Sequence, residues 1–185
     1  MRITGGQLKG RLLASPRGLG IRPTSDQVRE SIFNIIGQDL HGVRGLDLFA
    51  GTGILGIETL SRGASSVVFA DISPQSIRLI RKNLALCKHQ DYGIIIRRDL
   101  RKEIRKIRFI SRQIFDLVFL DPPYGKHFIP LILSELSTMD ILSHKSRVVA
   151  ESSKTEKLPV SFGNLKMVDA RSYGDTKISV YAYEA

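Results

Sequence analysis

Gly51-Thr52-Gly53-Ile54-Leu55-Gly56 constrains this chain more than any other stretch. It follows an apolar run, Leu46-Asp47-Leu48-Phe49-Ala50, that reads as a buried strand, and it opens a helical segment from Leu55 to Arg62 that Gly63 stops. Glycines at this spacing, between a strand and a helix, let backbone approach a bound small molecule while helix N–H groups face it. A chain organised around such a turn is expected to be a layered α/β structure.

The downstream pattern agrees. Ser66 to Asp71 reads as the next strand, and Ser73-Pro74 as a capped helix start leading into 75–87. Gly93 to Ile96 is a third apolar stretch, and the basic segment from Leu100 to Arg108 is expected to be helical. Phe115 to Leu120 then reads as a fourth strand, 128–138 as a helix and Arg147 to Glu151 as a fifth strand. Strands alternating with helices predict a mostly parallel, Rossmann-like sheet with helices on both faces. The C-terminal stretches Lys166 to Arg171 and Lys177 to Tyr183, joined at Tyr173-Gly174-Asp175, read as an antiparallel hairpin. Upstream, residues 1–23 are rich in Gly, Arg and Lys and read as a basic arm or loose hairpin ending in a turn at Arg22-Pro23, set apart from a main domain at 24–185. Thr24 or Ser25 caps a helix with Val28, Ile32, Ile35 and Ile36 on its apolar face.

Twenty residues past Gly51, at the end of the second strand, Asp71 can accept hydrogen bonds from both ribose hydroxyls of an adenosine. NAD, FAD and S-adenosylmethionine all present that group. Asp47, early in the preceding strand, favours the last, because its charge repels a pyrophosphate and welcomes an amino group or a sulfonium. Asp99, after the third strand, is placed to accept from an adenine amino group.

Asp121-Pro122-Pro123-Tyr124 follows the fourth strand, so it lies at the carboxyl edge of the sheet, where ligands bind in open α/β folds. Two prolines fix the backbone and offer carbonyl acceptors without N–H donors. With the Asp121 carboxylate and the Tyr124 ring, they suit a planar amine such as the exocyclic NH2 of a nucleobase. Acceptors at Asp121 and the Pro122 carbonyl would draw that nitrogen towards tetrahedral geometry and turn its lone pair to a methyl donor, while Tyr124 stacks on the base.

Charge points to a polyanionic partner. The chain of 185 residues carries 28 Lys and Arg against 18 Asp and Glu, a net charge of +10. Residues 1–37 account for +4 and residues 97–112 for +6, and the remainder balances. Nucleic acid is the partner class this favours. The single Cys87 excludes an internal disulfide, and the four histidines show no metal-ligand spacing, so no metal is expected. With no signal-peptide pattern at the start and no apolar run near the roughly 20 residues that cross a bilayer, a soluble, cytoplasmic protein with no membrane association is expected.

Asp47-Leu48-Phe49-Ala50-Gly51-Thr52-Gly53 and Asp121-Pro122-Pro123-Tyr124 resemble the class I, Rossmann-like S-adenosylmethionine-dependent methyltransferases that act on amino nitrogens. The segment from Arg22 through Asn34 and the tail Ser172-Tyr173-Gly174-Asp175-Thr176 are similar to the bacterial 16S rRNA (guanine(966)-N(2))-methyltransferase family, and the resemblance covers nearly the whole chain. It implies S-adenosylmethionine as cofactor, lined by Asp47, Phe49, Gly51, Gly53, Asp71, Ile72, Asp99 and Leu100. It implies a guanine held by Asp121, Pro122, Pro123 and Tyr124. It also implies 16S rRNA, free or within the small subunit or an assembly intermediate, as the substrate of a monomeric enzyme, with Arg2, Lys9, Arg11, Arg22, Thr24 and Arg29 of the arm and its following segment meeting the RNA or closing the active site. Two positions depart from the family pattern: the ribose-binding acid, often glutamate, is Asp71, and Gln27 stands where a basic residue is more usual. A methyltransferase for adenine N6 in DNA or a tRNA guanine, a dinucleotide-dependent oxidoreductase and a non-catalytic RNA-binding module are the competing readings.

Overall fold

The computed structural model describes residues 1–15, 24–102, 104–107, 109–123 and 127–184. Arg22 and Tyr124 therefore lie outside the described residues. The fold is mixed α/β, and its contacts divide it into two compact units, Met1–Asp99 and Leu100–Ala185.

In the first unit, helix α1 (Asp26–Ile36) starts where the Ser25 hydroxyl accepts from the Val28 N–H, and it ends at Gly37. Its buried face is Val28, Arg29, Ile32 and Phe33, so an arginine takes a place that periodicity assigns to apolar side chains. Strand β1 (Arg44–Leu48) leads through the glycine loop into helix α2 (Ile54–Ser61), every residue of which is buried. Strand β2 (Ser66–Asp71) follows, then helix α3 (Pro74–Cys87), with Ser73 as cap and Pro74 in its first turn, and strand β3 (Gly93–Arg97). The β2 strand lies between β1 and β3 and is parallel to both, with Leu48 opposite Ala70 and Asp71 opposite Arg97. Parallel pairing in this register puts the carboxyl ends of all three strands at one edge, where the glycine loop begins.

The N-terminal segment turns back on itself, with Arg2 bridged antiparallel to Leu12, as a loose hairpin would. It is also built into the unit: Ile3 and Leu13 are buried, and the Gln7 N–H donates to the Ser61 carbonyl at 2.7 Å. Gly6, at φ +75°, sits where a Cβ would come within 2.0 Å of that carbonyl oxygen. The glycines that read as arm composition are the ones that permit this close approach.

In the second unit, strand β4 (Phe115–Leu120) is parallel to β5 (Leu142–Ser153), and β8 (Thr176–Tyr183) runs antiparallel to β5. The β7 strand (Leu165–Tyr173) pairs with β8 around Gly174, in the expected hairpin, and the short β6 (Ser161–Phe162) pairs with β7. Helix α4 (Phe128–Leu136) matches the expected helix closely. The basic stretch after Leu100 differs from expectation: instead of one α-helix it forms 3₁₀ turns at Ile104–Lys106 and Ile110–Arg112. Leu100, Ile104, Ile107 and Ile110 are buried at near-helical spacing while Arg101, Lys102 and Lys106 are exposed, so the periodicity is kept by shorter, tighter turns. Among the described residues, no helix is long and apolar enough to cross a membrane.

Candidate active site

The glycine loop owes its shape to three left-handed residues, Phe49 at φ 60°, Gly51 at φ 54° and Gly53 at φ 75°. Gly53 then serves as the N-cap of α2 without a side chain. A Cβ at Gly53 would stand 3.1 Å from the Ile80 side chain, and one at Gly56 would stand 2.3 Å from the Phe69 ring. The third glycine of the motif thus acts in packing α2 on β2.

Strand register delivers Asp71 to the loop. The Ala50 N–H donates to the Ala70 carbonyl at 3.2 Å, and one residue further the Gly51 N–H donates to Asp71 Oδ2 at 2.9 Å. The other oxygen, Oδ1, accepts from the Ser73 N–H at 2.7 Å. Each carboxylate oxygen has about two acceptor positions, so both retain one for a ligand hydroxyl. Ile72, next in sequence, is 43% exposed, and the Arg97 guanidinium donates to its carbonyl, which ties the end of β3 to it. Asp99 is partly exposed, and Leu100 is buried.

Asp47 is almost wholly buried, and its Oδ2 accepts from the Gly56 N–H at 3.0 Å. The acid therefore caps the first turn of α2 while facing the loop. Burial raises its pKa to about 7; the Gly56 bond pulls the other way and the charge of Asp71 adds to the rise. Among the described residues neither acid is in an ion pair. Two carboxylates without a counter-cation at the mouth of a glycine loop fit a cationic ligand that carries a ribose.

Asn83, fully buried on α3, was missed by sequence reasoning. Its Nδ2 donates to the Thr52 carbonyl at 3.0 Å, in the middle of the loop, and to the Ala14 carbonyl at 3.2 Å, while its Oδ1 accepts from the Ala14 N–H at 2.8 Å. One amide side chain so ties the glycine loop to the N-terminal segment. The available signal was an asparagine on the face that also carries Ile77, Ile80, Leu84 and Cys87. Glu58, an acid inside the apolar α2, was missed too. Its carboxylate is 0% exposed and accepts from Arg29 at 2.8 Å, Arg62 at 2.7 Å, the Thr4 N–H at 3.1 Å and the Thr4 hydroxyl at 2.6 Å. The Arg62 guanidinium also lies 3.7 Å above the Phe33 ring.

That network corrects the expectation for Arg29. Its side chain is 1% exposed and is spent on Glu58, on Asp26 and on the carbonyls of Thr24 and Arg2, so no phosphate can reach it. Thr24 is buried as well. Arg2 is exposed but paired with Asp26 at 3.0 Å, whereas Lys9 and Arg11 are exposed and have no acidic partner among the described residues.

In the second unit, Asp121 sits partly exposed at the carboxyl end of β4, followed by buried Pro122 and exposed Pro123. This is the strand-end position expected for the segment. Among the described residues, no cluster of His, Cys, Asp and Glu could hold a metal ion.

The profile of the family described as "Conserved hypothetical protein 95" matches residues 1–182. The chain belongs to that family. The chain is similar to the Haemophilus influenzae "Ribosomal RNA small subunit methyltransferase D", 31% identical over 85% of this chain and 81% of that protein. The Bacillus subtilis "Putative rRNA methyltransferase YlbH" is 37% identical over 98% of both chains. Among solved structures, "Putative methyltransferase yhhF from Escherichia coli" superposes with a TM-score of 0.84 at 30% identity, over 100% of this chain and 98% of that one. Family membership and the class I methyltransferase fold read from the sequence are both borne out.

Proposed function

We propose that this chain transfers the methyl group of S-adenosylmethionine to the exocyclic N2 of a guanine in 16S rRNA, the guanine at position 966 by family resemblance. The observation that carries the cofactor is the pair of cation-free carboxylates at the glycine loop: Asp71 bridges the Gly51 and Ser73 amides with acceptor capacity left for a ribose, and Asp47 lies beneath. When bound, the cofactor supplies an electrophilic methyl on a cationic sulfur. Asp47 favours the positive charge, Asp71 orients the ribose, exposed Ile72 gives the adenine an apolar edge, and Asp99 accepts from its amino group.

Asp121 and the Pro122 carbonyl hold the guanine amine. A base nitrogen is a poor nucleophile while its lone pair is delocalised into the ring, and two acceptors on its N–H bonds localise that pair and stabilise the positive charge that develops on transfer. Tyr124 stacks on the base. Relatives named as rRNA methyltransferases and the net charge of +10 support an RNA substrate. The enzyme works in the cytoplasm as a monomer on rRNA within the small subunit or an assembly intermediate.

The test is methyl transfer from labelled S-adenosylmethionine to 16S rRNA and to small subunits from cells lacking the enzyme, followed by mapping of the modified nucleotide. Labelled N2-methylguanine at one site is expected with the wild type. With Asp121→Ala, cofactor affinity is expected to hold while transfer falls at least a hundredfold. Methyl transfer by Asp121→Ala at the wild-type rate would overturn the role of that segment, and no label in either rRNA substrate with the wild type would overturn the substrate.

A further inference from the structure

Along the sequence the charge excess falls in residues 1–37 and 97–112, but a further set of exposed cations lies outside both segments. In the first unit Arg29 and Arg62 are buried on Glu58, and exposed Arg2 is paired with Asp26, while Lys9 and Arg11 stay exposed. The further set is on α3. Its fourteen residues contain Arg78, Arg81 and Lys82 and no acid, and between Asp71 and Asp99 the only acid is Asp91, past the helix end. Residues at i, i+3 and i+4 share one helix face. All three side chains are exposed, and so is Lys88 just after the helix; among the described residues none of these four side chains makes a hydrogen bond or ion pair. The Arg11 guanidinium extends the stripe by donating to the Leu86 carbonyl at 2.8 Å. From Arg78 to Leu86 this runs roughly 12 Å along the helix axis. At its foot Tyr92 is 49% exposed, held edge-on by the His89 ring at 5.7 Å.

We infer that the outer face of α3, with Arg78, Arg81, Lys82, Lys88 and Arg11, is a docking surface for the phosphate backbone of the RNA substrate, with Tyr92 as a stacking platform for an unpaired base at its end. A helix face kept only for solubility interleaves both signs, because like charges one turn apart repel. Here three cations crowd together with no acid to relieve them, an arrangement that polyanion binding compensates. The exposed tyrosine favours RNA over an acidic protein surface, since splayed bases stack on aromatic rings. The inference rests on the rRNA reading above and adds where the RNA lies on the first unit.

The test compares wild type, the triple variant Arg78→Gln, Arg81→Gln, Lys82→Gln, and a control that removes as much charge elsewhere, Lys145→Gln, Lys154→Gln, Lys157→Gln. RNA affinity is measured against salt with full-length 16S rRNA, beside cofactor affinity, thermal stability and the KM and kcat of methyl transfer. For the α3 variant the slope of log K against log salt is expected to become shallower by about 2, from roughly 0.7–0.9 per phosphate contact. The KM for RNA should rise at least tenfold with cofactor affinity and kcat retained, and thermal stability should stay equal or increase. An unchanged slope and KM would overturn the inference, as would an equal loss in the control, which would reduce the effect to net charge. A wild type that neither binds nor methylates rRNA would overturn the rRNA reading itself. Tyr92→Ala is expected to weaken binding several-fold without changing the slope; an unaffected affinity removes the stacking platform.

Discussion

At the scale of single residues, two acids buried near one another have different tasks, and environment separates them. Asp71 satisfies two backbone amides and keeps lone pairs for a ligand. Asp47 has one amide and a pKa raised to about 7 by burial, so near neutrality it is only partly ionised. A cationic ligand prefers the carboxylate. Affinity for S-adenosylmethionine is therefore expected to rise as pH climbs through about 7 and to level off above, with a proton released on binding at lower pH. Calorimetry across pH 6 to 8.5, in buffers of different ionisation enthalpy, measures both effects, and Asp47→Asn should flatten the profile and bind more weakly. Arg29 makes the opposite case, a basic residue whose sequence context reads as a phosphate contact. Arg29→Ala would leave Glu58 and Asp26 underpartnered, and a loss of about 3–5 kcal/mol in unfolding free energy is expected. Denaturant titration checks it, and the salt dependence of RNA binding by the folded fraction should match wild type.

At the scale of elements, the glycine loop is held from three sides: α2 grows out of it, β2 brings Asp71 to it, and α3 reaches back through Asn83. Asn83→Ala leaves the part-buried N–H and carbonyl of Ala14 and the buried Thr52 carbonyl without their partner, the last costing about 1–3 kcal/mol when unpaired. Lower stability together with weaker cofactor binding is expected, measured by thermal unfolding with and without S-adenosylmethionine. Gly56→Ala presses a methyl group into Phe69 and is expected to cost about 1–3 kcal/mol, read by denaturant unfolding. These elements also show how far the sequence could be read. The strand, loop and acid were visible because GxGxxG in that context has one backbone solution, and the C-terminal hairpin because Tyr173-Gly174-Asp175 is strong turn chemistry. Neither Asn83 nor Glu58 could be assigned its full set of partners, since Ala14 and Thr4 lie in a glycine-rich segment far along the chain that local patterns read as a loose arm, and Arg29 lies on a helix read as meeting RNA. The 100–112 stretch kept its apolar spacing but not its α-helical form, because spacing near three and a half residues does not separate an α-helix from successive 3₁₀ turns.

At the scale of the whole molecule, the net charge and the acidic cofactor loop divide the labour of binding. RNA affinity is expected to fall steeply with salt through counterion release, while cofactor affinity, set by a buried and screened pair of acids, should change little between 50 and 300 mM. Parallel titrations check this, and an equally steep salt dependence for both ligands would contradict it. The pinning of the first fifteen residues has a consequence for biosynthesis. Thr4 finds its partner at Glu58 and Ala14 at Asn83, 54 and 69 positions on. These residues leave a ribosome well before their partners and must therefore wait for much of the first unit before they can settle, and until Asn83 emerges the Thr52 carbonyl has no amide to hold it. Nascent chains stalled short of α3 are expected to be clipped by protease near residues 1–15, and those stalled well past it to resist.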